Sequence, residues 1–102
     1  MERAYLRMIQ NMKAEGPSEW SVYILRCGDG SLYTGIAKDV ENRLKRHRCG
    51  KGATYTRTHL PVELVYEEPG LSRSAALMRE AYFKRLPKGK KEILVKSAKG
   101  AG

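Results

Sequence analysis

The stretch Trp20-Ser21-Val22-Tyr23-Ile24-Leu25-Arg26-Cys27-Gly28-Asp29-Gly30-Ser31-Leu32-Tyr33-Thr34-Gly35-Ile36 decides the fold of this chain. Both ends are β-branched and aromatic, and Gly28-Asp29-Gly30 turns the chain between them, so a β-hairpin is expected. Side chains alternate across a strand, so the length of the turn decides which residues share a face. A three-residue loop pairs Cys27 with Ser31, Leu25 with Tyr33, and Tyr23 with Gly35. Tyr23 and Tyr33 then lie diagonally on one face, and bare Gly35 leaves room opposite Tyr23. A two-residue loop would part the two phenols and end any joint role.

Downstream, Asp39 is a plausible N-cap for a helix through about Arg48, stopped by Gly50. On a helical wheel Val40, Arg43, Leu44 and His47 fall within roughly 100° of one another, which sets Arg43 and His47 at the margin of a buried stripe. Residues 50–59 read as a loop or broken helix rich in hydroxyls and cations. Val62 to Glu67 reads as a third strand that Pro69-Gly70 ends. Ser72 caps a helix to Leu86, with Leu71, Ala75, Met78 and Tyr82 as its main core stripe. Glu80 points away from that stripe but lies within about 60° of Ala76, Leu77 and Phe83, which suggests a semi-enclosed carboxylate. Pro87 redirects the chain into a last basic helix, about Lys88 to Ser97.

Upstream, residues 2–14 place Leu6, Ile9 and Met12 on one side of a short amphipathic helix, broken by Gly16-Pro17-Ser18. The expected fold is therefore α+β: a small three-stranded antiparallel sheet flanked by helices, with an extra N-terminal helix. The divisions are an N-terminal extension over 1–18, one domain over 19–97, and a tail over 98–102.

Composition narrows the function. Apolar residues make up 41% of 102 residues, too many for a disordered chain. No apolar run approaches the ~18 residues that span a bilayer, and the N-terminus has no continuous hydrophobic segment of the secretory kind. Cys27 and Cys49 lack CxxC spacing and read as small residues of a reduced, cytoplasmic protein. The net charge of +9 is unevenly placed: residues 1–37 balance, 38–59 carry +5, 60–70 carry −3 and 71–102 carry +7. Positive charge on two helical segments fits a partner with a repeating negative backbone, and nucleic acid leads, DNA before RNA. Lys38, Arg46, Lys51, Tyr55 and Arg57 are the candidate contacts to it, whereas His59 reads as a loop histidine.

Each member of the apparent site also has an ordinary reading. Tyrosines are common in sheets, Arg43 and His47 fit a solvated helix face, and Glu80 can pair with Arg73, Arg79 or Lys84. Their order is more telling. A tyrosine strand with Ser21-Val22-Tyr23, a turn, a strand with Tyr33-Thr34-Gly35, a helix with Arg43 and His47, and a later helix with Glu80 resembles the GIY-YIG nuclease superfamily. Both name-giving triplets depart from the ideal and keep their tyrosine. Leu32 to Arg43, Gly50 to Arg57 and Ala75 to Glu80 are similar to its small stand-alone bacterial YhbQ-like branch, related to the catalytic subunit of eukaryotic junction nucleases. The resemblance covers Trp20 to about Val95.

The resemblance implies metal-dependent cleavage of a phosphodiester. Tyr23 would be the general base, Tyr33 would orient water or phosphate, and Arg43 would stabilise the transition state. Glu80 would hold one divalent ion, Mg²⁺ or Mn²⁺. His47 matches a position that assists near the phosphate in some members. A phenol makes a poor base unless nearby cations lower its pKa, and one Mg²⁺ typically takes only one or two protein carboxylates. The leading expectation is a structure-specific DNA endonuclease of repair or recombination. The alternatives are a non-catalytic nucleic-acid-binding module and a protein that self-associates or docks a partner through its N-terminal helix. The nuclease reading requires the Tyr23 hydroxyl, Arg43, His47 and the Glu80 carboxylate to converge.

Overall fold

A computed structural model describes residues 18–101, so the expected helix over 2–14 lies outside the described residues. Strands β1 (Trp20–Arg26), β2 (Leu32–Ala37) and β3 (Glu63–Leu71) form one antiparallel sheet in the order β2-β1-β3. Between β2 and β3 come α1 (Val40–Arg48) and the single turn α2 (Thr54–Arg57), and after β3 come α3 (Arg73–Arg85) and α4 (Lys88–Ala101).

The hairpin takes the three-residue register. Tyr23 faces Gly35 and Leu25 faces Tyr33, and the Cys27 amide donates to Ser31 O at 2.8 Å. Gly30 sits at φ 86°, a left-handed conformation that glycine adopts without steric cost.

The third strand runs four residues beyond its expected end, through Pro69 and Gly70 to Leu71. Val22 pairs with Glu68 and Trp20 with Leu71, so β3 spends one extra residue there in a bulge. Gly70 at φ 77° supplies the bend, and the edge position of β3 tolerates a proline without an amide proton.

Alternation divides the core in two. Val22 and Ile24 pack with Val65, Leu71, Ala75, Ala76, Phe83 and Val95, which puts α3 and α4 on one face of the sheet. Tyr23, Leu25, Cys27 and Ala37 pack with Val40 and Val62 on the other face, where α1 lies. The Asp39 carboxylate caps α1 by accepting from the Asn42 amide, and Ser72 Oγ caps α3 by accepting from the Ala75 amide.

The buried side of α3 is rotated from the expected stripe. Ala75, Ala76, Arg79 and Phe83 are buried, while Met78 and Tyr82 are only half-buried. Arg79 can turn inward because Glu68 accepts from its Nε at 2.9 Å and its Nη2 at 3.0 Å, and its guanidinium lies 4.5 Å from the Phe83 ring. Paired and hydrogen-bonded, the charge tolerates burial.

Candidate active site

The tyrosine face positions the candidate site. Tyr23 and His47 are fully buried, at 1% and 0% exposure. The Tyr23 hydroxyl lies 2.9 Å from His47 Nε2, and His47 Nδ1 lies 2.7 Å from Thr56 Oγ1. Thr56 Oγ1 in turn donates to the Ala53 carbonyl at 3.0 Å. The Tyr33 ring meets the His47 ring edge-on at 5.5 Å. His47 is therefore not at the margin of its helix stripe. It is the centre of the cluster, because a polar ring with both nitrogens partnered can be buried at little cost.

Two glycines make this packing possible. A Cβ on Gly35 would stand 2.6 Å from the Tyr23 hydroxyl, and a Cβ on Gly52 would stand closer still to His47 Nδ1. Gly35 was legible as open space opposite Tyr23. Gly52 and Thr56 were not, since nothing in a glycine- and threonine-rich loop says that it folds back onto a histidine.

Burial pushes the Tyr23 phenol up to about 12. The neighbouring Arg43 guanidinium opposes this by hydrogen bonding and by charge, and the Tyr33 and Glu80 charges add to it. Burial first, then the Arg43 charge, pulls His47 below its usual value. At neutral pH the site thus holds a neutral phenol against a neutral imidazole.

Arg43 links this cluster to the surface. It lines a cleft of about 460 Å³ together with Trp20, Lys38, Asp39, Asn42 and Arg46, and its Nε is buried with no hydrogen-bond partner among the described residues. Lys38 and Arg46, two of the expected nucleic-acid contacts, thus meet Arg43 in one basic groove. Trp20 also lines it, with Lys38 and Arg73 against its ring, at 5.8 and 5.7 Å. Trp20 is half-buried, and a tryptophan that begins a strand carries no pattern in the sequence that marks it as a groove residue.

Lys51, Tyr55 and Arg57 do not line that groove. They are exposed on the loop and turn beyond α1. Tyr55 stacks on Tyr33 at 6.2 Å and on His59 at 4.1 Å, and its hydroxyl donates to Ser31 Oγ. His59 is a loop histidine, its Nδ1 within 2.7 Å of the Tyr55 carbonyl.

Glu80 comes from the helix packed on the reverse face; its charge is the smallest of the influences on the Tyr23 phenol, and among the described residues no bond joins it to Tyr23, Arg43 or His47, which do meet one another. The Glu80 side chain is 20% exposed, semi-enclosed as expected, and 3.5 Å from Lys84 Nζ. Among the described residues no group of three or more His, Cys, Asp and Glu side chains could hold a metal. Glu80 offers one carboxylate, which could serve as a single ligand to a hard divalent ion whose other ligands are water and phosphate oxygen.

Comparison with known proteins agrees with this architecture. The GIY-YIG catalytic domain family matches residues 19–92. A UPF0213 protein of Streptococcus sanguinis is 52% identical over 75 residues, covering 74% of this chain and 86% of the relative. One of Staphylococcus aureus is 51% identical over 75 residues, covering 74% of this chain and 92% of its own. The solution NMR structure of the UPF0213 protein BH0048 from Bacillus halodurans aligns with TM-score 0.50 at 47% identity, over 76% of this chain and 82% of that one. That of EF2693 from E. faecalis aligns with TM-score 0.52 at 40% identity, over the same shares.

Proposed function

The chain belongs to the GIY-YIG catalytic domain family, a nuclease family, and from that premise we propose that it is a metal-dependent DNA endonuclease acting on branched or otherwise irregular DNA in repair or recombination. One observation carries the reading: a buried phenol, hydrogen-bonded to an imidazole, lies against an arginine that opens onto a basic groove.

Each residue has a task in this reading. Lys38 and Arg46 hold the DNA backbone in the groove as point charges. Arg43, which lines the groove, takes a phosphate oxygen and stabilises the charge that develops on it. Tyr23 receives the proton of the attacking water, and Tyr33, against the same imidazole, orients that water or the phosphate. Glu80 would hold one Mg²⁺ or Mn²⁺, which when bound supplies Lewis-acid stabilisation of the phosphoryl oxygens. Lys51, Tyr55 and Arg57 contact the strand as it leaves the site. Among the described residues no helix is long and apolar enough to cross a membrane, and both cysteines are free, which fits work in the cytoplasm.

The test is cleavage of junction, flap, single-stranded and duplex DNA with Mg²⁺ or Mn²⁺. Cutting that is lost in Glu80→Gln, with DNA binding kept, is the expected result. Salt-sensitive binding without cutting under either ion would replace the enzyme by a nucleic-acid-binding module.

A further inference from the structure

Resting on the nuclease reading, we infer that the base that finally takes the water's proton is His47, reached through Tyr23, and that Thr56 is the positioning residue that makes His47 able to do so. The argument begins with hydrogen-bond direction. Thr56 has one hydroxyl proton, and it is given to the Ala53 carbonyl. With that proton on the carbonyl, the same oxygen offers only lone pairs toward His47, and His47 Nδ1 carries a proton and donates it. In the neutral ring Nε2 is then bare, and the Tyr23 hydroxyl must donate to it. Every proton in the chain from Tyr23 to Ala53 has a fixed place, and Tyr23 points its own inward. One of its oxygen lone pairs accepts from Arg43, which lines the groove, and the other is what remains for the attacking water.

The electrostatics explain why Tyr23 needs such a partner. A phenol held up to about 12 has roughly one molecule in 10⁵ ionised at pH 7, too few to serve as a ready-made base. His47 is neutral there, and its Nε2 is far more basic than a neutral phenol oxygen. A concerted shift avoids free phenolate. As water oxygen bonds to phosphorus, a water O–H bond breaks and its proton bonds to the Tyr23 oxygen. The Tyr23 O–H bond breaks in the same step, and that proton bonds to His47 Nε2. The scissile P–O bond breaks, and the leaving oxygen takes a proton from solvent. The imidazolium proton then returns through the Tyr23 oxygen to cleft water, so no proton is left over.

This assignment departs from the expectation that His47 assists at the phosphate directly. A ring at 0% exposure, with one nitrogen on Tyr23 and the other on Thr56, has no donor free for a phosphate. The titratable and charged groups facing it are Tyr23 from β1, Tyr33 from β2 and Arg43 from its own helix. None is a carboxylate, so the neutral ring is the resting form.

The experiment combines a spectroscopic and a kinetic readout on the full chain. Nitrogen-15 NMR of the histidines in the wild type should show His47 protonated at Nδ1 and bare at Nε2. Thr56→Val keeps the shape of the side chain and removes its oxygen. It should release the tautomer preference and lower kcat about 10-fold to 100-fold with KM unchanged, a typical share of acid–base assistance. Thr56→Ser should restore both. The pH profile of kcat in the wild type should fall on the acid side as His47 protonates, and that limb should move in Thr56→Val. A wild-type His47 protonated at Nε2 in a protein that cuts DNA overturns the relay and leaves the nuclease intact. A Thr56→Val variant with wild-type kcat and pH profile does the same. The correct tautomer in a chain that cuts none of the substrates overturns the nuclease reading, and the relay with it.

Discussion

The two faces of the sheet are both buried and are made of different material. Toward α3 and α4, Val22, Ile24, Ala75, Ala76 and Phe83 form an apolar core at 0% exposure. Toward α1 and α2 the most buried side chains include Tyr23, His47 and Thr56, joined by hydrogen bonds. Burying polar groups costs free energy unless every partner is supplied, so a protein that needed only stability would have filled both faces alike. The apolar face is not free of charge, since Arg79 is buried on it. Arg79 and Glu68 nevertheless pair through two parallel bonds, joined by the Tyr66 hydroxyl, and neither is among the residues that line the basic groove. The Tyr23 chain ends beside Arg43, which lines one. Burial of polar groups alone does not mark a site; where their hydrogen-bond chain leads does.

The comparison is broken or kept by one substitution on each face. Tyr23→Phe should lower cleavage by about 10² to 10⁴, the range for removing an acid–base group, while its lost hydrogen bond costs only about 1 kcal/mol of stability. Phe83→Ala should do the reverse. Emptying a fully buried aromatic site costs about 3–5 kcal/mol, and kcat per folded molecule should not change. Urea unfolding and active-site titration of the folded fraction measure both. Equal effects of the two variants on kcat would mean that the faces do not divide the labour.

Titration sharpens the contrast. His47 is held below its ordinary pKa, so the unfolded chain binds the extra proton first and stability should be lost as pH falls below about 6.5. Asp29 and Glu92 are held below the usual carboxylate range, so their losses begin only at more acidic pH. Tyr23 is held up to about 12, so its contribution is complete below about 10 and lost as pH rises from there. Tyr66 on the other face is also raised, by burial first and then by its bond to Glu68, so alkali should weaken both faces. The mildly acidic limb belongs to one face alone. Unfolding free energy measured between pH 5 and 7 should slope upward in the wild type and flatten in His47→Asn; an unchanged slope would place the titrating group elsewhere.

The hairpin was legible because local rules fix it: one turn length puts Tyr23 and Tyr33 on a single face, and that register is the one adopted. The caps at Asp39 and Ser72 were legible for the same reason. Rotation of α3 was not, because an arginine reads as solvent-facing until a carboxylate eleven positions earlier is known to reach it. The burial of His47 was hidden likewise. A helical wheel places it beside Leu44, but only the return of residues 52–56 over the ring covers it. The extension of β3 past Pro69 escaped detection because a bulge is a relation between two strands, and one strand's sequence carries half of it.

The smallest effect separates two cationic regions. Lys38 and Arg46 line the groove that contains Arg43, while Lys90 lines an apolar groove with Tyr82, Leu86, Ile93 and Leu94 between α3 and α4. Residues 71–102 carry more net charge than 38–59, so charge count alone would favour the second region as the DNA track. Geometry favours the first, because a phosphate there meets Arg43. Each phosphate contact that is lost should reduce the slope of log affinity against log salt by about 0.7–0.9 and weaken binding with little dependence on sequence. Lys38→Ala and Arg46→Ala should each show that reduction in fluorescence-anisotropy titrations, and Lys90→Ala should leave the slope alone. A slope lowered equally by Lys90→Ala would extend the DNA path across both faces of the sheet, and the apolar face would then owe part of its surface to binding as well as to packing.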